Sequence, residues 1–146
     1  MPDSLGEVQE DMMQRGGCLC GAVRFETTSV LRDVIFCHCS QCRRQTGLYY
    51  AATSVPRSSL RIMGDTLRWY HASDVARRGF CGTCGSALFW ERLEGDTVSV
   101  LAGAFDDPSV LRPGYHIFTR GRAEFYRIAD DLPCYADRAP DPSKDP

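Results

Sequence analysis

The sequence predicts a mainly β domain, a complex antiparallel arrangement of strands with short helical turns. The apolar stretches are short and often alternate with polar residues, and they are rich in β-branched and aromatic side chains. Turn-forming pairs separate several of them. In chain order, strands are expected over 22–26, 34–36, 48–55, 60–62, 67–70, 86–92, 97–101 and 115–118. Gly64-Asp65 and Glu94-Gly95-Asp96 supply turn chemistry between neighbours. Two places read as helical. One is a turn after Ser40, with Ser40 as its cap and Gly47 ending it. The other lies around Asp106 to Leu111. Residues 1–15 lack periodicity and read as a flexible arm, 16–136 as one domain, and 137–146, rich in proline and charge, as a disordered tail.

At 146 residues the chain is the size of a single domain, and 43% hydrophobic against 25% charged residues is ordinary for a soluble globular protein. A net charge of −2 gives no reason to expect nucleic acid or an anionic membrane as partner. No apolar run is long enough to span a bilayer, and the acidic, polar start lacks the features of a secretion signal. The cytosol, where thiols stay reduced, is therefore the expected compartment.

That expectation governs the reading of the eight cysteines, 18, 20, 37, 39, 42, 81, 84 and 134. Disulfides are the competing reading for an even count, but seven of the eight fall in tight clusters. Close spacing lets thiolates converge on one ion, which favours metal. Cys18/Cys20 and Cys81/Cys84 are two glycine-flanked pairs, far apart in sequence. Together they offer the four thiolates of a closed, structural zinc site that staples the first strand to the middle of the chain. A redox role for Cys81-Gly82-Thr83-Cys84 would call for an α/β context, which the pattern lacks.

Cys37, Cys39 and Cys42 end an apolar strand, and a helical turn would bring the last two onto one face. Three thiolates suit a second zinc with an open fourth position, the usual state of a catalytic site. His38, His116 or Cys134 could instead close it. His38 lies between two ligands and is expected to point away, His116 reads as a hydrogen-bonded sheet residue, and Cys134 as buried packing. Arg43 and Arg44 follow directly; one of them either contacts a substrate carboxylate or offsets thiolate charge, or both are a solvated pair. Seven thiolates and two Zn²⁺ would move the formal charge from −2 to −5, so some compensation is needed.

With these motifs in view, the chain resembles the glutathione-dependent formaldehyde-activating enzyme family, represented in animals by centromere protein V. The resemblance rests on Gly17-Cys18-Leu19-Cys20-Gly21, Cys37-His38-Cys39-Ser40-Gln41-Cys42-Arg43 and Phe80-Cys81-Gly82-Thr83-Cys84-Gly85-Ser86. It continues through Ala102 to Pro108, His116-Ile117-Phe118 and Ala129-Asp130-Asp131-Leu132-Pro133, covering residues 16 to 135. It implies a fold shared with a small zinc chaperone of Rab GTPases. It also implies a structural zinc on Cys18, Cys20, Cys81 and Cys84, and a second zinc on Cys37, Cys39 and Cys42. The implied activity is that of a carbon–sulfur lyase, condensing formaldehyde with glutathione to S-hydroxymethylglutathione. Glu124-Phe125 departs from the Pro-Trp that many members carry there.

Two functions follow as expectations. In one, an open zinc takes the sulfur of a small thiol such as glutathione while a carbon–sulfur bond to an aldehyde forms or breaks, with Arg43 and Tyr49 or Tyr50 holding the rest. In the other, the chain is a zinc-stabilised binding module without turnover.

Overall fold

The computed structural model describes residues 13–140 and is mainly β, with ten strands and one α-helix among them. The expected residues form strands β2 (Arg24–Thr27), β3 (Val34–Cys37), β4 (Tyr50–Pro56), β5 (Leu60–Met63), β6 (Leu67–Tyr70), β8 (Ala87–Arg92), β9 (Thr97–Leu101) and β10 (Pro113–Ile117). Two further strands were not expected. β1 (Gln14–Gly17) is short and glycine-bearing, and its first two residues belong to the stretch read as a loose arm. β7 (Ala76–Cys81) carries Arg77 and Arg78, whose charge masks an alternating pattern. Of the expected arm and tail, residues 1–12 and 141–146 lie outside the described residues.

The strands make two sheets. β1, β2 and β5 form the smaller; the larger runs β10-β3-β4-β9-β8-β7-β6 and is antiparallel except where β10 joins β3 in parallel. Period-two alternation gives the larger sheet two different faces. One face sends Val55, Phe89, Val98 and Val100 against Phe25 of the smaller sheet and Val23 just before it, together with Phe105. Phe25 is fully buried and meets Phe89 and Phe105 edge-to-face at 5.6 and 5.2 Å. Glu91, 6% exposed at its side chain, leaves β8 between Arg57 and Arg77 at 2.8 and 2.5 Å, and Arg77 also lies over the Trp69 ring. The alternate residues of the same strands floor a cavity on the other face.

Helix α1 (Ser40–Thr46) occupies the expected place, with a different cap. Cys39 is the N-cap, its sulfur accepting from the Cys42 amide at 3.3 Å, and Ser40 is the first helical residue. Gly47 ends the helix with φ 87, its N–H donating to the Arg43 carbonyl. The second helical place is a single 3₁₀ turn, Pro108–Val110, whose Asp107 cap accepts from the Ser109 amide. No helix among the described residues is long and apolar enough to cross a membrane.

The turn between β5 and β6 depends on Gly64. Its φ is 109, and a Cβ there would stand 2.0 Å from the Ala22 carbonyl oxygen, which is backbone and cannot swing aside. Gly64→Ala is expected to cost about 2 kcal/mol, measured as a lower urea midpoint with unchanged m-value.

Candidate functional site

Two groups of thiols converge. The first joins Cys18 and Cys20, between β1 and β2, to Cys81 and Cys84 around the end of β7. Its sulfur atoms all lie within 4.8 Å of one another, and Cys18–Cys20 and Cys20–Cys81 are separated by 3.6 and 3.8 Å. A tetrahedron with metal–sulfur bonds near 2.3 Å has edges of about 3.8 Å, so this group could hold a metal ion such as zinc. Local donors favour thiolates: the Ser86 hydroxyl draws Cys84 down to about 5, and the Thr66 hydroxyl holds Cys81 at about 7. Gly85, with φ 83, lets the chain turn back so that its amide donates to the Cys81 carbonyl.

The second group is Cys37, Cys39 and Cys42, also with all sulfur atoms within 4.8 Å and also able to hold a metal ion. Cys37 ends β3, Cys39 caps α1, and Cys42 follows one turn later, so strand end and helix start together aim the three sulfurs inward. The neighbouring Cys37 and Cys42 thiols draw Cys39 far below the ordinary thiol range, and Cys39, then Cys42, push Cys37 up. Three adjacent thiols cannot all ionise without a compensating cation, and a divalent ion would supply it. Among the described residues, no fourth His, Cys or carboxylate joins this group.

The residues considered as a fourth ligand serve elsewhere. His38 points away from the thiols and is fully buried. The Asp130 carboxylate lies 3.0 Å from His116 Nε2, His116 Nδ1 lies 2.8 Å from His38 Nε2, and His38 Nδ1 lies 2.6 Å from the Tyr126 hydroxyl. Cys134 is exposed, its sulfur 3.6 Å from the Leu132 carbonyl, instead of packed inside. A short parallel β-bridge pairs it with His116.

Beside the second group lies a cavity of about 370 Å³. The register of the larger sheet builds its floor. Ile117, Cys37 and Tyr50 form one cross-strand row, Tyr115, Ile35 and Ala52 a second, and Ser99, Trp90 and Arg78 a third. Phe118, with left-handed backbone (φ 54, ψ 37), turns the chain beyond β10 and also lines the cavity.

Of the three arginines that line this cavity, the buried one is Arg78. It is 5% exposed, donating from Nε to Gln41 Oε1 at 2.8 Å, from Nη1 to Gln45 Oε1 at 2.7 Å, and from Nη2 to the Cys42 sulfur at 3.4 Å. Its guanidinium carbon stands 5.3 Å from the Tyr50 ring centroid. It bonds to two amide oxygens and a sulfur, so the thiol group supplies the anionic character beside it. Arg43 is half-buried on α1 and Arg44 exposed, and neither lines the cavity. Tyr50 does line it, with its hydroxyl buried and unpartnered among the described residues; burial pushes that phenol up and keeps its proton. Tyr49 packs instead on Phe36 and His38. The Arg77-Arg78 pair in a strand was the available signal for Arg78, because period two sends neighbours to opposite faces. The roles of Gln41, Gln45, Trp90, Tyr126 and Asp130 had no comparable signal.

The histidine chain has one direction when both rings are neutral. A carboxylate only accepts, so His116 donates from Nε2 and accepts at Nδ1; His38 then donates from Nε2 and accepts from Tyr126. Burial, then the neighbouring His116, lowers His38 to about 4. Nitrogen-15 ring shifts are therefore expected to show a neutral, Nε2-protonated His38 from pH 7 down to about 4. Because the folded value lies below the unfolded one, His38 contributes stability above about pH 6.5, and this is lost as pH falls towards 4.

Comparison with known proteins places these features in a family. Residues 13–121 match the family model described as glutathione-dependent formaldehyde-activating enzyme. An uncharacterized lyase of Schizosaccharomyces pombe is 28% identical over 80 residues, a match covering 55% of this chain and 58% of that relative's length. The crystal structure of a Rhodobacter sphaeroides protein is similar with a TM-score of 0.55 and 30% identity, covering 63% of this chain and 87% of that one. With its matched residues spanning both thiol groups and nearly all of the β framework, the chain belongs to the glutathione-dependent formaldehyde-activating enzyme family.

Proposed function

We propose that the chain is a zinc-dependent carbon–sulfur lyase acting on an adduct of a small thiol, glutathione foremost, with an aldehyde. The observation that carries this reading is the three-thiol group without a fourth protein ligand among the described residues, opening on a cavity. In this reading Cys18, Cys20, Cys81 and Cys84 would hold a structural zinc, and Cys37, Cys39 and Cys42 a second; both groups are able to hold a metal ion. When bound there, zinc supplies a Lewis-acidic fourth position that favours the thiolate form of a substrate sulfur.

The chain's own residues do the rest. Three thiolates on a divalent ion leave one net negative charge, and the Arg78 guanidinium offsets it. Gln41 and Gln45 hold that guanidinium in place, so its charge stays aimed at Cys42. A substrate thiolate arriving with a further negative charge then meets a site already neutralised by a fixed cation. Ile35, Trp90 and Tyr115 give the floor an apolar surface. Arg43, on the helix that carries Cys42, is left as a contact for substrate extending beyond the cavity. The binding-module reading would need the protein to close the second site, and no described residue does so.

The direct experiment measures exchange between free glutathione, formaldehyde and S-hydroxymethylglutathione by NMR, with and without zinc-loaded protein. Acceleration at catalytic protein concentration is expected, and its absence would return the chain to a binding role. Cys39→Ala is expected to lower zinc from two to one per chain, abolish turnover and leave the urea midpoint close to that of the parent. Arg78→Met is expected to lower kcat/KM by about 10- to 100-fold while both zinc ions are retained, with Arg78→Lys intermediate.

A further inference from the structure

The cavity constrains the aldehyde as well as the thiol. Resting on the thiol-adduct reading above, we propose that the floor receives the carbon-side group of the adduct, and that this group comes from an apolar aldehyde of several carbons.

The argument begins with the floor's composition. Ile117, Ile35, Tyr115, Ala52 and Trp90 present hydrocarbon or aromatic surface from the adjacent strands β10, β3 and β4 and, beyond β9, from β8. Its polar members are few. Ser99 stands beside Trp90, and Arg78 already directs Nε, Nη1 and Nη2 to Gln41, Gln45 and Cys42. A tripeptide thiol carries two carboxylates and an ammonium, and burying such groups without partners is strongly unfavourable. Its polar body therefore belongs towards solvent, beside the exposed lining residues Gln41 and Arg138. The sulfur sits at the three thiols, where Cys37 stands in the floor's own row with Ile117 and Tyr50, and the carbon bonded to it lies against the next row of that floor.

Formaldehyde would place a single hydroxymethyl group there, leaving most of a 370 Å³ space in contact with water. A longer alkyl or aryl group would cover Ile35, Ala52 and Trp90, and each buried methylene would raise kcat/KM about fourfold. The chemistry is unchanged by this enlargement. In cleavage the carbon–sulfur bond breaks with its electron pair on sulfur, the adduct's hydroxyl proton leaves to water, and its carbon becomes the aldehyde. Synthesis is the reverse, and no oxidant or reductant enters.

The experiment measures NMR exchange rates for glutathione with formaldehyde, ethanal, propanal, butanal and pentanal, using the full-length zinc-loaded protein and counting only unhydrated aldehyde. The expected result is a rise in kcat/KM of about fourfold per methylene from ethanal onward. Ala52→Leu, which fills the centre of the floor, is expected to shift the pentanal-to-formaldehyde ratio at least tenfold towards formaldehyde. If that variant fails to fold, the series on the parent protein decides alone. A flat series, or one falling from formaldehyde, would overturn the apolar-aldehyde assignment and leave the lyase reading intact. No acceleration with any aldehyde would overturn both.

Discussion

The convergence of Cys37 with Cys39 and Cys42 depends on the register of β3 between β4 and β10. Cys37 stands opposite Tyr50 on one side and Ile117 on the other, which puts its sulfur on the cavity face of the larger sheet. A slip of one residue would exchange it for Phe36, because side chains alternate faces along a strand. The core makes that slip expensive. Across the sheet, Thr53 and Val55 oppose Val100 and Val98, and the three valines share one core cluster with Phe25. Hydrophobic burial on one face thus sets the chemistry on the other.

Charge then decides what that chemistry can be. A row of sulfur atoms attracts a divalent cation, and a buried guanidinium beside it sets the balance left over. Arg77 and Arg78 divide two tasks by adjacency. The first lies with Glu91 and Trp69 in a structural ion pair, and the second joins the thiols. Behind the site, Asp130, His116, His38 and Tyr126 form a hydrogen-bonded chain that ties the segment after β10 to the loop between two thiols. Buried imidazoles with every ring nitrogen engaged hold a loop more firmly than packing alone, since leaving one unpaired costs desolvation.

The family relationship and the cavity bear on different questions. Membership accounts for the two thiol groups, which lie inside the matched region along with the strands that carry them. The apolar floor speaks to which adduct would fit, through Ala52, Trp90 and Tyr115, residues remote in sequence from the thiol motifs. Phe118 adds to that shape by a backbone conformation uncommon for a bulky residue, held where its amide donates to Asp137.

Much was legible in the sequence because its signals are local. Tight cysteine spacing limits which sulfurs can share an ion, and alternation over four to seven residues marked eight of the ten strands. β1 and β7 escaped because glycine in one and paired arginines in the other interrupt that alternation. The N-cap moved from Ser40 to Cys39 because sulfur one residue earlier reaches the Cys42 amide, a preference composition does not reveal. Pairing across distant strands decided the rest. It put Arg78 beside Cys42 while Arg43 stayed outside the cavity, turned His38 towards His116, and left Cys134 exposed. By itself, then, the sequence determined the thiol groups and the β character, because both follow from short-range spacing. The buried guanidinium beside the thiols, and the apolar floor of the cavity next to them, were decided only by the tertiary structure, because both depend on which strands lie side by side.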